Sequence, residues 1–257
     1  MIMRQVHRAV GVSLLLAAFS ATSAQAALPE WPGEWEVVGL KAGASGVVET
    51  PVPDIIRDFG GNPPFTPEAA AKFQAFLKAL ESQDNPVHQT CTFGFPTIML
   101  ESPLYFEVLI TPHETVMIFS GREIRHIYTD GRAQPPADEL FPTHWGSSVG
   151  HWDGQTLVID TLATGENIGG NLVFIWNAAD FFRPLALLSE QTHYVERIRM
   201  LSAGLLEDQM TIYDSQFAKP WRITHRYQHV RGVTRMIHED CEGNDRNPIV
   251  NGKWTLK

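Results

Sequence analysis

Residues 143–161, THWGSSVGHWDGQTLVIDT, hold the densest run of turn and strand signals in the sequence. Asp153 and Gly154 suit the positive φ angles of a tight two-residue turn. The next residues, 155–161, are rich in apolar and β-branched side chains, as in a return strand. The stretch therefore predicts a β-hairpin, with the large rings of Trp145 and Trp152 close to its turn.

The same stretch contains GSSVG at positions 146–150, which matches the G-x-S-x-G pattern of a serine nucleophile elbow. That motif needs a strand, a strained turn and then a helix, whereas the residues that follow predict another turn and another strand. We therefore expect Ser148 to be a turn or strand residue without a nucleophilic role. A serine hydrolase at Ser148 is the least favoured of three functions.

Short strands divided by turn signals continue along the chain after Cys91. Besides the hairpin, the predicted strands are 97–100, 106–110, 115–120, 123–129, 192–200, 205–213, 221–230 and 233–241. Strands joined this closely must be antiparallel, and about ten of them in one domain favour an up-and-down barrel. The predicted fold is mainly β, an antiparallel lipocalin-like or calycin-like barrel with one N-terminal surface helix. A β-sandwich is the alternative.

The first 26 residues have the order of a secretory signal peptide. Arg4 and Arg8 form a basic start, 9–19 is an apolar run, and Ala24-Gln25-Ala26 is a small-residue cleavage site. The apolar run is too short to span a bilayer as a helix. We expect cleavage after Ala26, a periplasmic or secreted protein, and no stable membrane insertion after the signal is cleaved.

The net charge and the distribution of Pro and Gly indicate which partners to exclude and how the chain is divided into segments. The net charge of −9 argues against a nucleic-acid partner, because binding to phosphates requires clustered Lys and Arg. Residues 27–64, rich in Pro and Gly, predict an extended N-terminal arm, and 65–257 a single β-barrel domain. Its helix is expected over about 67–82, with Thr66 as N-cap and Pro67 at the first helical position. A homodimer is left open.

The two cysteines of the sequence, Cys91 and Cys241, lie on either side of most of the strands. Export would place them in an oxidising compartment, where thiols of secreted proteins pair. We therefore predict that they form a disulfide.

Polar side chains that alternate onto the inner face of the barrel are the candidates for chemistry. The predicted catalytic residues are His126, Tyr128, Glu196, His225 and His238. Imidazole and phenol groups can transfer protons, and burial raises the pKa of a carboxyl group. The opposite orientation, with these faces on the wet exterior, remains open. For Glu196 a structural ion pair with an Arg is favoured over catalysis.

The predicted ligand-contacting residues are Trp145, Trp152, Tyr194 and Tyr227. The favoured function is binding of a hydrophobic or aromatic small molecule in the barrel interior. The alternative is a cofactor-independent lyase, isomerase or hydratase that uses His, Tyr and Glu in the same pocket. No cofactor and no metal site are predicted, because His225 and His229 on a strand lie about 13 Å apart. Residues 165–188 interrupt the strand pattern and are expected to form a lid or mouth.

Several segments carry a resemblance to a known family. The stretch at 143–161 resembles the GHSxGxWxGDTLVVDT-type signature of a family of exported, mostly uncharacterised bacterial proteins. YFEVLITPHETVMIF (105–119), RHIYTDGR (125–132), YVERIR (194–199), AKPWRITHRY (218–227) and CEGNDRNP (241–248) follow in the family's order. The sequence departs from the pattern at Gln155, where the family more often has Asp. The resemblance covers residues 65–248 and implies a fold and export rather than a reaction.

Overall fold

The computed structural model describes residues 27–38, 40–43, 46–49, 61–81, 94–101, 105–120, 123–165, 171–175, 183–230, 236, 249–250 and 253–254. These residues form a mainly β protein, as predicted, with two helices. The helices are α1 (Pro67–Glu81) and α2 (Thr97–Glu101). No helix in this described part of the chain is long and apolar enough to cross a bilayer.

The strands are mostly four to ten residues long. They are β1 (Glu34–Val37), β2 (Leu40–Gly43), β3 (Gly46–Glu49), β4 (Phe106–Ile110), β5 (Glu114–Phe119), β6 (Ile124–Tyr128), β7 (Ser147–Asp153), β8 (Thr156–Leu162), β9 (Asn171–Ile175), β10 (Arg183–Leu188), β11 (His193–Ser202), β12 (Leu205–Tyr213), β13 (Trp221–His229), β14 (Ile249–Val250) and β15 (Lys253–Trp254).

Nine strands form one sheet that closes on itself through a ring of hydrogen bonds, in the order β1-β13-β12-β11-β8-β7-β6-β5-β4. All neighbours in this closed sheet are antiparallel except β6 and β7, where Tyr128 and Val149 pair in parallel. The prediction of a wholly antiparallel sheet is wrong at this pair. Residues 129–146 return the chain to the end of the sheet at which β6 began, as a parallel connection requires.

The closed sheet has two distinguishable ends. The hairpin end carries the β7–β8 and β11–β12 turns, and the helix end carries the connection from β12 to β13. At the helix end, Phe65 pairs with Phe217 of that connection, and its ring contacts Phe73 of α1 at 5.2 Å between ring centres. Helix α1 begins as predicted, since the backbone N of Ala69 donates to Oγ1 of Thr66 at 3.2 Å.

The predicted hairpin is confirmed, with its turn one residue later than expected. β7 and β8 pair up to Asp153 opposite Thr156, so Gly154 and Gln155 are the turn residues. Gly154 has a φ of 61°, the positive value that the first central position of a type II′ turn requires. Ser148 lies within β7, so the strand, turn and helix of a nucleophile elbow are absent from 143–162.

β1, which comes from the predicted N-terminal arm, is a strand of the closed sheet. Trp35 pairs with His229 of β13 on one side and with Phe106 of β4 on the other. The arm therefore supplies the strand that completes the ring of hydrogen bonds, instead of lying apart from the sheet as an extended arm.

Residues 97–100, predicted as a strand, form helix α2 instead. Phe95, Ile98, Met99 and Leu100 are all fully buried and belong to the main hydrophobic core. An apolar run that is buried on every side has the same pattern in a strand and in a helix, so periodicity cannot distinguish them. The predicted interruption at 165–188 contains a separate pair of strands, β9 and β10.

Some sequence predictions fall on residues outside the described ranges. These are the signal peptide at 1–26, the disulfide between Cys91 and Cys241, the candidate His238, and all of the predicted strand at 233–241 except residue 236. They remain predictions.

Gly146→Ala should destabilise the fold more than the matched change Gly154→Ala. Both glycines have positive φ, 67° and 61°, so both substitutions strain the backbone. A Cβ at Gly146 would also lie 2.3 Å from the carbonyl oxygen of Leu162, whereas a Cβ at Gly154 would meet nothing within 4 Å. We expect Gly146→Ala to lose about 1–3 kcal/mol more in denaturant unfolding. Equal losses would contradict the packing described for β7 against β8.

Candidate functional site

The predicted inner faces of β11 and β13 are confirmed. Tyr194 and Glu196 of β11, and His225 and Tyr227 of β13, are all buried. Their alternation with outward residues follows the period of two that a half-buried strand imposes. Four of the predicted site residues therefore lie in the interior of the closed sheet.

The predicted inner face of β6 is wrong. Arg125 and Ile127 are fully buried, whereas His126 and Tyr128 lie on the outer surface. The imidazole of His126 is half-exposed and lies 3.1 Å from Oε2 of Glu114. The guanidinium of Arg132 covers the ring of Tyr128 at 4.0 Å. These two side chains are therefore excluded from an interior pocket in this structure.

A buried arginine is the centre of the polar interior. Nη1 of Arg125 donates to Oε1 of Glu196 at 3.0 Å, and Nη2 donates to Oε2 in a second, short hydrogen bond. Nη2 also contacts Oγ1 of Thr161 at 3.1 Å and Oγ of Ser148 at 3.4 Å. The guanidinium carbon lies 4.3 Å from the ring centre of Phe95. Two parallel hydrogen bonds between a guanidinium and a carboxylate form a strong, charge-assisted pair. The structure therefore agrees with the favoured prediction that Glu196 forms an ion pair with an Arg.

Asp208 of β12 is a second buried carboxyl group on the same inner face. Among the described residues, neither of its oxygens accepts a hydrogen bond, and Nε2 of His225 lies 3.4 Å from Oδ2. Burial raises the pKa of Asp208 well above its usual range, and the negative charge of Glu196 raises it further while Arg125 opposes the shift. The protonated, neutral acid is therefore the favoured form of Asp208.

His225 and Tyr227 complete what we call the interior polar cluster, which comprises Arg125, Ser148, Thr161, Glu196, Asp208, His225 and Tyr227. Nε2 of His225 and the hydroxyl of Tyr227 form a short hydrogen bond, and that hydroxyl donates to the carbonyl of Met99 at 3.0 Å. Burial raises the pKa of Tyr227 well above its usual range, so the phenol stays neutral.

The interior polar cluster holds the groups that proton transfer needs, namely a neutral acid, an imidazole and a phenol beside an anchored ion pair. Sequence reasoning missed Arg125 and Asp208. The available signal for Asp208 was its position in phase with the apolar Leu206, Met210 and Ile212 of β12. In the described ranges, no three His, Cys, Asp or Glu side chains are grouped as metal ligands would be.

Trp145 and Trp152, both predicted to contact the ligand, lie at opposite ends of the closed sheet, so Trp145, contrary to expectation, is not close to the hairpin turn. Trp145 precedes β7 at the helix end, where it stacks on Phe119 and donates from Nε1 to Glu123 at 2.9 Å. Trp152 lies near the last residue of β7 at the hairpin end, in edge contact with Trp31 at 5.4 Å. Most of the length of β7 lies between the two rings.

An open groove lies at the hairpin end, between the start of β1, the β11–β12 turn and the end of β13. We call it the end groove. Its volume is about 990 Å³, and its lining includes Glu30, Trp35, Glu36, Met200, Leu205 and His229. None of the predicted site residues in the described part of the chain lines it, because it is formed by the ends of β1 and β13 and by a turn, which no local sequence pattern brings together.

Asp208→Asn should raise the free energy of unfolding, and the gain should grow with pH. The raised pKa means that the folded protein keeps a proton which the unfolded chain releases above about pH 4. The stability from Asp208 is thus complete below that pH and is lost as pH rises towards the folded pKa. Asn is neutral throughout, so the gain should grow by up to about 1.4 kcal/mol per pH unit in that window.

Denaturant unfolding of both proteins across this pH range measures the effect. As a control, Glu196→Gln leaves Arg125 buried without its anion and should cost about 3–5 kcal/mol. A gain for Asp208→Asn that does not change with pH would show that Asp208 is already ionised in the folded protein.

Comparison with known proteins gives no match from which a function could be inferred. No family model matches the sequence, and no curated protein and no solved structure matches it either. The resemblance to exported bacterial proteins therefore stays a prediction from motifs, and the function has to be inferred from the interior polar cluster and the end groove.

Proposed function

We propose that the protein is a periplasmic or secreted barrel of the lipocalin or calycin type that binds a hydrophobic or aromatic small molecule. The observation that carries the proposal is the end groove, whose volume of about 990 Å³ suits a ligand of drug size. The ligand would lie at the mouth of the closed sheet, a common place for ligands of β-barrels.

The mouth is favoured over the interior because the described interior is occupied. Phe95, Met99 and Leu100 enter it from α2 and the preceding turn, and the interior polar cluster fills the space beside them. Trp35 belongs to the inner face of β1 and also lines the groove. Its side chain is almost fully buried, so the interior is closed at this end of the sheet. The floor that a ligand can contact comes from His229, Met200 and Leu205.

The assignment of fold type and compartment has separate support. A closed sheet of nine strands is in the size range of barrels that hold either packed side chains or one small ligand. The basic, apolar and small-residue order of the first 26 residues supports export. The net charge of −9 supports a partner other than nucleic acid.

A second candidate function is a cofactor-independent lyase, isomerase or hydratase in the interior polar cluster. Asp208 specifically favours it, since buried carboxyl groups without hydrogen-bond donors are uncommon and often functional. Asp208 would donate a proton and His225 would accept one. A substrate would have to displace Phe95 and α2 to reach them, which is why binding in the open groove ranks first.

Ser202→Trp should block the groove, because Ser202 is exposed and lines it beside the β11–β12 turn. The neutral fluorescent probe N-phenyl-1-naphthylamine should bind the wild type, and its dissociation constant should rise by about tenfold or more in the variant, a loss near 1.4 kcal/mol. Ser215→Trp adds the same ring to an exposed position at the helix end and should leave binding unchanged. Equal affinity in all three proteins would place the ligand elsewhere.

The enzyme alternative predicts proton exchange between a bound compound and the solvent. Incubation of the wild type with a panel of small aromatic carbonyl compounds in heavy water, read by mass spectrometry, would reveal it. Asp208→Asn or His225→Gln should then lower the exchange rate by about 10²-fold or more without changing probe binding. If the probe binds but no compound exchanges protons with the solvent, ligand binding without catalysis remains the function.

A further inference from the structure

The end groove carries negative charge without an opposing cation among its described lining residues. Glu30 is exposed and Glu36 is half-buried, and both carboxylates border the open volume. Nε2 of Gln228 donates to Oε1 of Glu36 at 2.6 Å, which fixes this carboxylate at the edge of the groove. No Lys or Arg belongs to the described lining.

The arginines closest in sequence to the lining are already paired. Arg199, next to Met200, contacts Oε1 of Glu207 at 2.9 Å, and Arg226 contacts Oε2 of the same carboxylate at 2.8 Å. These contacts lie on the outer face of β11, β12 and β13. The charge of Glu30 and Glu36 is therefore left for a ligand or for ions from the solvent.

The floor of the groove is aromatic and apolar. Trp35 is almost fully buried, and the exposed ring of His229 meets it edge to face at 5.6 Å, so His229 supplies the aromatic surface of the groove. Met200 and Leu205 add apolar surface from the strands beside the turn. An apolar body would fit against this floor with a polar group directed to the carboxylates.

We propose that the ligand of the end groove is a cationic amine with an aromatic or other apolar body. This inference rests on the proposed function, that the groove binds a small molecule. The ring lies against His229 and Leu205, and the ammonium group donates to Glu36 and Glu30, which accept the hydrogen bonds that an ammonium must make. A carboxylate ligand with the same body is repelled by the same two groups.

Three probes with one body separate charge from hydrophobicity: 4-phenylbutylamine, 4-phenylbutan-1-ol and 4-phenylbutyrate. Each is titrated directly into the full mature chain by calorimetry at low salt. We expect the amine to bind about five- to tenfold more tightly than the alcohol, as two partly exposed ion pairs would give, and the carboxylate most weakly. Raising the ionic strength should bring the amine towards the alcohol, since salt screens exposed pairs.

Glu30→Gln combined with Glu36→Gln should remove the preference for the amine and leave the affinity for the alcohol unchanged. Glutamine at position 36 can still hydrogen-bond Gln228, so the groove keeps its shape. Glu139→Gln combined with Glu190→Gln is the matched control, because it removes two exposed carboxylates that lie outside the groove lining. This control should retain the full preference.

The outcomes distinguish the charge preference from the binding function. If the alcohol binds the wild type as tightly as the amine, or if the Glu30 and Glu36 variant keeps the preference, the inference is overturned while the binding function stands. If none of the three probes binds and Ser202→Trp has no effect on N-phenyl-1-naphthylamine, both the inference and the proposed function fail.

Discussion

The two parallel hydrogen bonds from Arg125 to Glu196 join β6 to β11 across the interior of the closed sheet. These strands are not neighbours, since β7 and β8 lie between them, and the same guanidinium reaches Ser148 of β7 and Thr161 of β8. One side chain thus connects four consecutive strands. A slip of one residue in any of them would turn its partner outward and leave a buried charge, so the pair enforces the register of this half of the sheet.

The ion pair between Arg125 and Glu196 also influences the protonation state of Asp208. Because the guanidinium is bound to Glu196, it is not available as a full partner for a second carboxylate on the same inner face. Burial and the nearby anion then raise the pKa of Asp208 and favour its neutral form. The neutral acid form of Asp208, which proton transfer would require, is thus a consequence of the Arg125–Glu196 ion pair. The residues that hold the strands in register are therefore also those on which any catalysis would depend.

Local patterns predicted the elements whose signals are local. The hairpin, helix α1, strand β12 at 205–213 and the inner faces of β11 and β13 follow from turns, caps and alternation. The buried face of β6 was predicted wrongly because each face of the strand carries one Ile, Ile124 beside His126 and Ile127 beside Arg125. Alternation therefore fits either orientation. The ion pair with the distant Glu196 offsets the cost of removing the Arg125 charge from water. No pattern within β6 reveals that this partner exists. The end groove likewise depends on three segments that are far apart in sequence.

Trp35 links the groove to the closure of the sheet. It pairs with His229 on β13 and Phe106 on β4, so it stands at the place where β1 completes the ring. The groove exists only when β1 lies beside the end of β13, because both segments line it. A ligand that binds there therefore binds only the closed sheet, and it stabilises the fold by RT ln(1 + L/Kd), where L is the free ligand concentration. Because Trp35 is almost fully buried in the main hydrophobic core, the strand that borders the groove is anchored in the same interior that contains the polar cluster.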